Sequence, residues 1–295
     1  AALTAFNDPD TINFAYYEAS ILVEYILEAY GDAALRKVLG DLRRSGIAEK
    51  SLARRLAPLD ELESGFTKFA VDLARKVAPQ ADWEIPAEDS PLHRDPAGVS
   101  SYLEKYPDNI WALSAHCGSL LAERKWQEVV APARRLIGLY PEFVGPGNGY
   151  LALARAQRNL EDTEGERETL RAWTARDADA IDALARLIEL DQQAEDWASV
   201  EVDARRLLAL NPLLRTPHRA LGVAAQQLGK PGDAIAAFDS LLRLDPINPA
   251  DVHFRLAQLH SAENAPTAKR HLLLALEEAP RFRAAHELLL EITRP

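Results

Sequence analysis

The sequence has no methionine and a single cysteine, Cys117, among its 295 residues. One cysteine excludes an intrachain disulfide framework, although a free thiol does not identify the compartment. No run of eighteen apolar residues occurs, so we expect no helix inserted in a membrane. Runs of β-branched residues are short whereas Ala, Leu, Arg and Glu are abundant, which predicts an all-α chain.

Positive charge is also scarce. Lys and Arg number 34 against 45 Asp and Glu, which leaves a formal charge of −11. A field of this sign repels phosphate, so we expect no nucleic-acid partner. No basic and apolar signal segment opens the chain. We interpret it as a fragment or a processed form whose N-terminal targeting information is absent, and the sequence leaves its localisation open.

The stretch Arg215–Pro246 is the most regular part of the chain, and it reads as two short amphipathic helices. Leu221 and Gly222 lie in the first helix, a Gly-Lys-Pro-Gly turn follows, and Ala234 and Phe238 lie in the second. This pattern resembles one tetratricopeptide (TPR) unit, a helix–turn–helix repeat of 34 residues. The resemblance implies a right-handed superhelical solenoid built from stacked helix pairs.

The residues that close successive units recur with one period. Counted along the chain, the separations are 34, 71, 34 and 34, at Pro107, Pro141, Pro212, Pro246 and Pro280. Ala178 splits the long interval into 37 and 34, and an enlarged VGPGNG turn accounts for the three extra residues. Five units in one register predict a TPR array over residues 96–295.

Each unit is expected to supply two antiparallel helices. A start helix, Pro96–Tyr106, precedes the array and a capping helix, Phe282–Ile292, follows it. The five predicted pairs are Ile110–Glu123 with Trp126–Leu139, Gly149–Leu160 with Thr163–Thr174, Ile181–Gln193 with Trp197–Leu210, Thr216–Leu228 with Pro231–Leu244, and Asp251–Ala262 with Pro266–Glu278.

Residue size within the units supports this register. Small residues would let paired helices approach closely, at Ala154, Gly222, Ala234, Ala257 and Ala268, and larger ones would fill the space between them, at Leu170, Phe238 and Leu272. Cys117 occupies a close-packed position, which favours a buried, inert thiol over a reactive one. Pro132 lies inside a predicted helix, so we expect a kink or a later helix start.

Solenoids of this kind bind peptides or partner helices on the surface lined by the first helix of each pair. Arg155 and Arg158, three residues apart, are placed to grip a carboxylate. A solvated polar face explains the same pattern equally well. The Lys/Asn clamp of some TPR domains is not predicted, since Ser114 and Gly118 occupy the matching places. The groove residues expected from the register are Asn148, Arg155, Arg158, Asn159, Asp182, Glu189, Gln192, Gln193, Arg219, Gln226 and Gln227.

Four further helices are predicted in residues 1–79, ahead of the array. They would form a helical bundle small enough to be marginal on its own. Residues 80–95 contain Pro86 and Pro91 with several acids, which indicates a connector.

Within the bundle, Tyr16 heads the run YYEASILVEYILEAYG, and an amphipathic helix follows. Residues 13–77 resemble the C-terminal helical part of gluzincin-type, peptidase MA-like metallopeptidases. The resemblance implies that Tyr16 stabilises an oxyanion beside a zinc ion, with Tyr17 as the alternative if the register slips by one. The sequence departs from that family because it has no H-E-x-x-H motif and no W-x-x-E-G segment. Packing or interface roles for Tyr16 therefore remain open.

No other motif points to chemistry. His253 and His260, seven residues apart, could share a helix face, but ordinary core or surface histidines are favoured over a metal site. We therefore expect no cofactor in this chain. The sequence favours an interaction module that binds a protein or peptide. The alternative is the C-terminal portion of a zinc metallopeptidase whose catalytic half lies upstream.

Overall fold

A computed structural model describes residues 9–86 and 96–294. Regular structure within these residues is helical throughout, and the sole β-type pairing there is an isolated parallel bridge between Asp82 and Asn109. The chain divides into two compact units, Ala1–Ala81 and Asp82–Pro295. None of the described helices is both long enough and apolar enough to cross a bilayer.

The first unit contains helices α1 to α4. Their bounds are Pro9–Tyr30, Asp32–Ser45, Ala48–Arg55 and Leu59–Val77. Gly31 and Gly46 end the first two helices with φ angles of 79° and 65°, a conformation that glycine adopts without steric cost. The small core of this unit centres on Tyr25, Ile26 and Leu62.

One buried carboxylate ties α2 to α3 in this unit. Asp41 is 4% exposed and accepts hydrogen bonds from Arg55 Nε at 2.6 Å and from Arg44 Nη2 at 2.6 Å. The hydrogen bond from Arg55 holds the pKa of Asp41 far below its usual range, although burial opposes this shift. Because the partner arginines reach solvent, the pair links two helices without isolating a charge.

The second unit consists of a start helix, five helix pairs and a closing helix within the described residues. The start helix is α5, Pro96–Lys105. The pairs are α6 with α7, Ile110–Ala122 and Trp126–Leu139; α8 with α9, Gly149–Asn159 and Thr163–Thr174; α10 with α11, Ile181–Gln193 and Trp197–Leu210; α12 with α13, Arg215–Gln227 and Pro231–Arg243; and α14 with α15, Pro249–His260 and Ala265–Glu278. The closing helix is α16, Arg283–Thr293.

These helices begin and end within two residues of the predicted positions. Local chemistry explains the agreement, because Asn or Asp side chains accept a backbone N–H at the start of α6, α8, α9, α11, α14 and α15. Pro132 lies inside α7, which nevertheless begins at Trp126, so a later helix start was the wrong alternative.

The turn inside four of the pairs uses the same backbone conformation at the same register position. Arg124, Glu161, Glu195 and Gly229 have φ angles of 57°, 60°, 57° and 68°. Only the last of these residues is the glycine that this conformation favours. The repeat geometry therefore outweighs the local preference of three larger side chains.

Close packing inside the fourth pair depends on Gly222. Phe238 is 0% exposed, and a Cβ added at Gly222 would lie 2.6 Å from its ring. The predicted small and large residues are buried here as expected, and Cys117 is 1% exposed with its pKa raised by burial to about 12. A thiol in this state is inert.

Residues 82–86 belong to the second unit. Asp82 N–H donates to Asp108 O at 2.9 Å, and the Asn109 side chain donates to Glu84 O at 2.7 Å. The Trp83 and Tyr140 rings lie 5.2 Å apart. This part of the stretch interpreted as a connector is therefore bonded to the start of the array, and residues 87–95 lie outside the described residues.

We predict that Gly222→Ala lowers the free energy of unfolding of the array by about 1–3 kcal/mol, because the new methyl group meets the buried Phe238 ring. Urea titration followed by circular dichroism measures the effect. Gly118→Ala is the matched control, since nothing lies within 4 Å of its added Cβ in α6. That control should be neutral or stabilising by up to about 1 kcal/mol. Equal destabilisation by both changes would contradict the packing argument.

Candidate functional site

The first helices of successive pairs are not evenly spaced. The backbones of α6 and α8 pack against each other, as do those of α10 and α12, whereas α8 and α10 approach each other much less. A cavity of about 330 Å³ lies at this wider step, lined by residues of α8, α9 and α10. We refer to it as the central cavity.

A buried carboxylate forms part of the wall of the central cavity. Glu166 of α9 is 2% exposed. Arg186 of α10 donates to both of its carboxylate oxygens, each at 2.9 Å. Arg158 of α8 donates from Nε to Oε1 at 2.8 Å, and Arg186 also donates to Glu189 at 2.9 Å. We call these four residues the Glu166 network.

The protonation states follow from this pairing. Burial acts to raise the pKa of Glu166, but the hydrogen bonds from Arg186 and Arg158 outweigh it and leave the pKa below its usual range. The same bond raises the pKa of Arg186 above its ordinary value. Both shifts favour the charged forms of Glu166 and Arg186. The network contains two arginines and two glutamates, so its formal charges balance.

The repeat register shows why this site is unusual. Glu166 lies twelve residues before the residue that closes its unit, and the other four units have Val129, Val200, Ala234 and Ala268 at this position. All four of those residues are 0% exposed. A charged residue at an apolar position was visible in the sequence, and its pairing partners were not.

Arg186 is exceptional in the same way. The equivalent residues in α8 and α12 are Ala152 and Ala220, both buried where the first helices pack closely. The side chain of Arg186 is much larger than the methyl group of alanine, so it needs more room between the two helices. This substitution explains why α8 and α10 stand apart and why the cavity forms between them.

The structure gathers four of the predicted groove residues around the central cavity: Arg155, Arg158, Asp182 and Glu189. Its floor is apolar and includes Leu151, Leu170 and Trp173. The register analysis did not place Arg186 or these floor residues at the site. The hypothesis that Arg155 and Arg158 together grip a ligand carboxylate required Arg158 to be a free cation. Arg158 is instead bonded to Glu166.

The other predicted groove residues differ in their surroundings. Asn148 was expected to be exposed, and this was wrong: it is 2% exposed and caps α8 by accepting from Leu151 N–H. Arg219 pairs with Asp251 at 2.9 Å. Asn159 donates to Arg155 O at 2.8 Å. The glutamines are exposed or half-buried, at Gln192, Gln193, Gln226 and Gln227.

Three histidines meet near the end of the array. His253 Nδ1 and His271 Nδ1 lie 3.0 Å apart, and the rings of His260 and His271 are stacked at 5.9 Å. Burial is the main cause that lowers the pKa of both His253 and His271. Within the described residues, no group of three or more His, Cys, Asp or Glu is arranged to hold a metal ion.

Tyr16 and Tyr17 lie on α1 and are 62% and 60% exposed. Neither is part of the core of the first unit. The structure therefore leaves both phenol groups accessible at the place where the metallopeptidase resemblance puts its catalytic tyrosine.

No family model matches this sequence, and no curated protein matches it. Solved structures do match. YrrB, described as a TPR protein with an unusual peptide-binding site, aligns at a TM-score of 0.53 and 14% identity over 65% of this chain and 98% of YrrB. A chain of the Naa15/Naa10 complex bound to HypK-THB aligns at a TM-score of 0.54 and 16% identity, covering 75% of this chain and 33% of that chain.

At these identities the likeness establishes the fold. The chain is an all-α protein with a TPR solenoid, which confirms the predicted fold class. No such likeness supports the metallopeptidase resemblance of residues 13–77.

We predict that Glu166→Val alone lowers the free energy of unfolding by about 2–3 kcal/mol, because Arg158 loses its carboxylate. Arg158 and Arg186 both reach solvent, so the loss of stability is small for a broken buried ion pair. A triple variant, Glu166→Val with Arg158→Leu and Arg186→Ala, carries residues that each occur at the same position in at least one other unit, at Val129, Leu121 and Ala152. It should recover most of this loss in urea titrations. A triple variant less stable than the single one would contradict the register argument.

We also predict that the histidine cluster makes the array less stable in mild acid. The lowered pKa values mean that, as the pH falls below about 6.5, the unfolded chain takes up protons that the folded chain refuses. The stability from this cluster is complete above that pH and is lost below it, by at most about 1.4 kcal/mol per pH unit for each proton. Asp239 and Glu278 nearby act against the shift, and Arg270 acts with it.

Urea titrations at pH 7.5 and pH 5.5 test this prediction. His271→Ala, which introduces the residue found at Ala237 one unit earlier, should reduce the loss of stability between the two pH values. His116, whose pKa is also lowered by burial, remains in both proteins and serves as a common background. An identical pH dependence in the two proteins would show that the cluster has no such role.

Proposed function

We propose that this chain is a protein-interaction module that binds a peptide or a partner helix along the first helices of its array. The observation that carries the proposal is the central cavity, where an apolar floor and a charged rim lie at the groove positions of two adjacent units. A volume of about 330 Å³ matches the smaller ligand pockets, which span roughly 300–1,000 Å³.

The comparisons support this class of function without supplying residues. YrrB is described with a peptide-binding site, and the Naa15/Naa10 complex is bound to HypK-THB. Nucleic acid is not the proposed partner, since the formal charge of −11 repels phosphate. The proposed organisation is a bundle at 1–79, a connector at 80–95 and an array at 96–295, with residues 82–86 of the connector bonded to the start of the array.

A selection from a displayed library of random twelve-residue peptides tests the proposal. The wild-type chain should enrich specific peptides, and synthetic copies should bind in solution by isothermal titration calorimetry. The triple variant of Glu166, Arg158 and Arg186 tests the role of the cavity, because its Arg186→Ala change removes the side chain that keeps α8 and α10 apart. We predict at least tenfold weaker binding to it. Equal binding to both proteins would remove the cavity from the proposed function.

The second hypothesis is that the parent protein is a zinc metallopeptidase and that Tyr16 serves its active site. Its support is the sequence resemblance of residues 13–77 and the exposure of Tyr16. On this hypothesis the zinc ligands belong to a longer parent protein. Zinc analysis of that parent, together with a search of the coding sequence upstream for H-E-x-x-H, tests it. A parent protein without the motif and without bound zinc would sink it.

A further inference from the structure

The charges around the central cavity fall into two groups. The Glu166 network is satisfied internally, since Arg158 and Arg186 pair with Glu166 and Glu189. These four groups balance one another, and a ligand gains little from replacing any one of them, because a buried partner would then lose its pair. The network therefore shapes the wall of the cavity without giving it a net charge.

Two other charged side chains line the same cavity. Arg155 lies on α8 and Asp182 lies in the first turn of α10, and both are exposed. Neither forms an ion pair with any other described residue, unlike the four residues of the network. They carry opposite signs yet do not pair with each other, since the wider step between α8 and α10 separates their helices.

The apolar floor lies between these helices. It includes Leu151, Ala154, Leu170, Trp173, Ala183 and Ala185. Leu170 and Trp173 are 3% and 9% exposed and belong to the core of the array. An apolar side chain entering here would meet rigid walls, which favours binding because little ordering is required. Charged residues of the ligand, on either side of its apolar side chain, would lie near Arg155 and Asp182.

We propose that the central cavity anchors a peptide of mixed charge: an apolar side chain on the floor, an acidic residue beside it for Arg155, and a basic residue on its other side for Asp182. This inference rests on the proposed function and specifies its ligand. The two rim charges determine which peptides bind and in which direction they lie, because a reversed peptide would bring like charges together.

The peptide library described above tests the charge pattern. The wild-type chain should enrich peptides that carry an acidic and a basic residue flanking an apolar one. Arg155→Glu and Asp182→Lys should each weaken the binding of a synthetic enriched peptide by about tenfold, since attraction becomes repulsion. The effect should shrink in high salt, as expected for exposed charges.

The double variant, Arg155→Glu with Asp182→Lys, makes the test specific. It should bind a synthetic peptide with the acidic and basic residues exchanged about as tightly as the wild type binds the original. Lys269→Glu with Glu277→Lys, both exposed on α15, is the matched control with the same net charge. That control should bind the original peptide unchanged.

The outcomes separate this inference from the proposed function. Enrichment of peptides without the charge pattern, or a double variant that fails to prefer the exchanged peptide, overturns the mixed-charge anchor and leaves a peptide-binding groove. No enrichment by the wild-type chain overturns both. Circular dichroism of each variant at the binding temperature confirms that the helices are retained, so that weaker binding reports on the contacts.

Discussion

A carboxylate removed from water is stable as an anion only where other groups replace its hydration, and Glu166 meets this requirement with two arginines from two different helices. The helix pair α8 with α9, together with the neighbouring α10, is organised around that constraint. Arg186 must reach from α10 to the buried oxygens, so α10 carries a long side chain where α8 and α12 carry alanine. The wider step and the central cavity follow from this one pairing.

Side-chain size at this register position has a wider effect along the array. Ala152 and Ala220 accompany the first helices that pack closely, whereas Arg186 and Phe254 occur where the successive first helices approach each other less. A small residue allows two helix backbones to approach, and a large one keeps them apart. Side-chain size at this one position therefore correlates with how closely successive first helices approach each other. At Arg186 the separation comes with a cavity whose lining includes charged side chains.

The fold was largely predictable because its signals are local and repeated. Helix ends, capping residues and the small residues between paired helices all follow a single 34-residue register, and five copies reinforce one another. The exposure of the predicted groove residues was predictable in part. Asn148 occupies a register position that is expected to be exposed. Its side chain instead accepts a hydrogen bond from a backbone N–H that has no partner within α8, and this capping role buries it. The register describes positions on a helix and does not describe what a polar side chain bonds to.

By itself, the sequence determined the helical class, the period and the helix limits, since each depends on residues close together in the chain. Only the tertiary structure decided which charged side chains pair with one another. The pair of Glu166 and Arg186 spans 20 residues, and His271 joins His253 from the facing helix. Such pairings depend on where long side chains end in space. For that reason Arg158 proved to be a member of a closed network, whereas Arg155 and Asp182 line the same cavity without an ion pair to any other described residue.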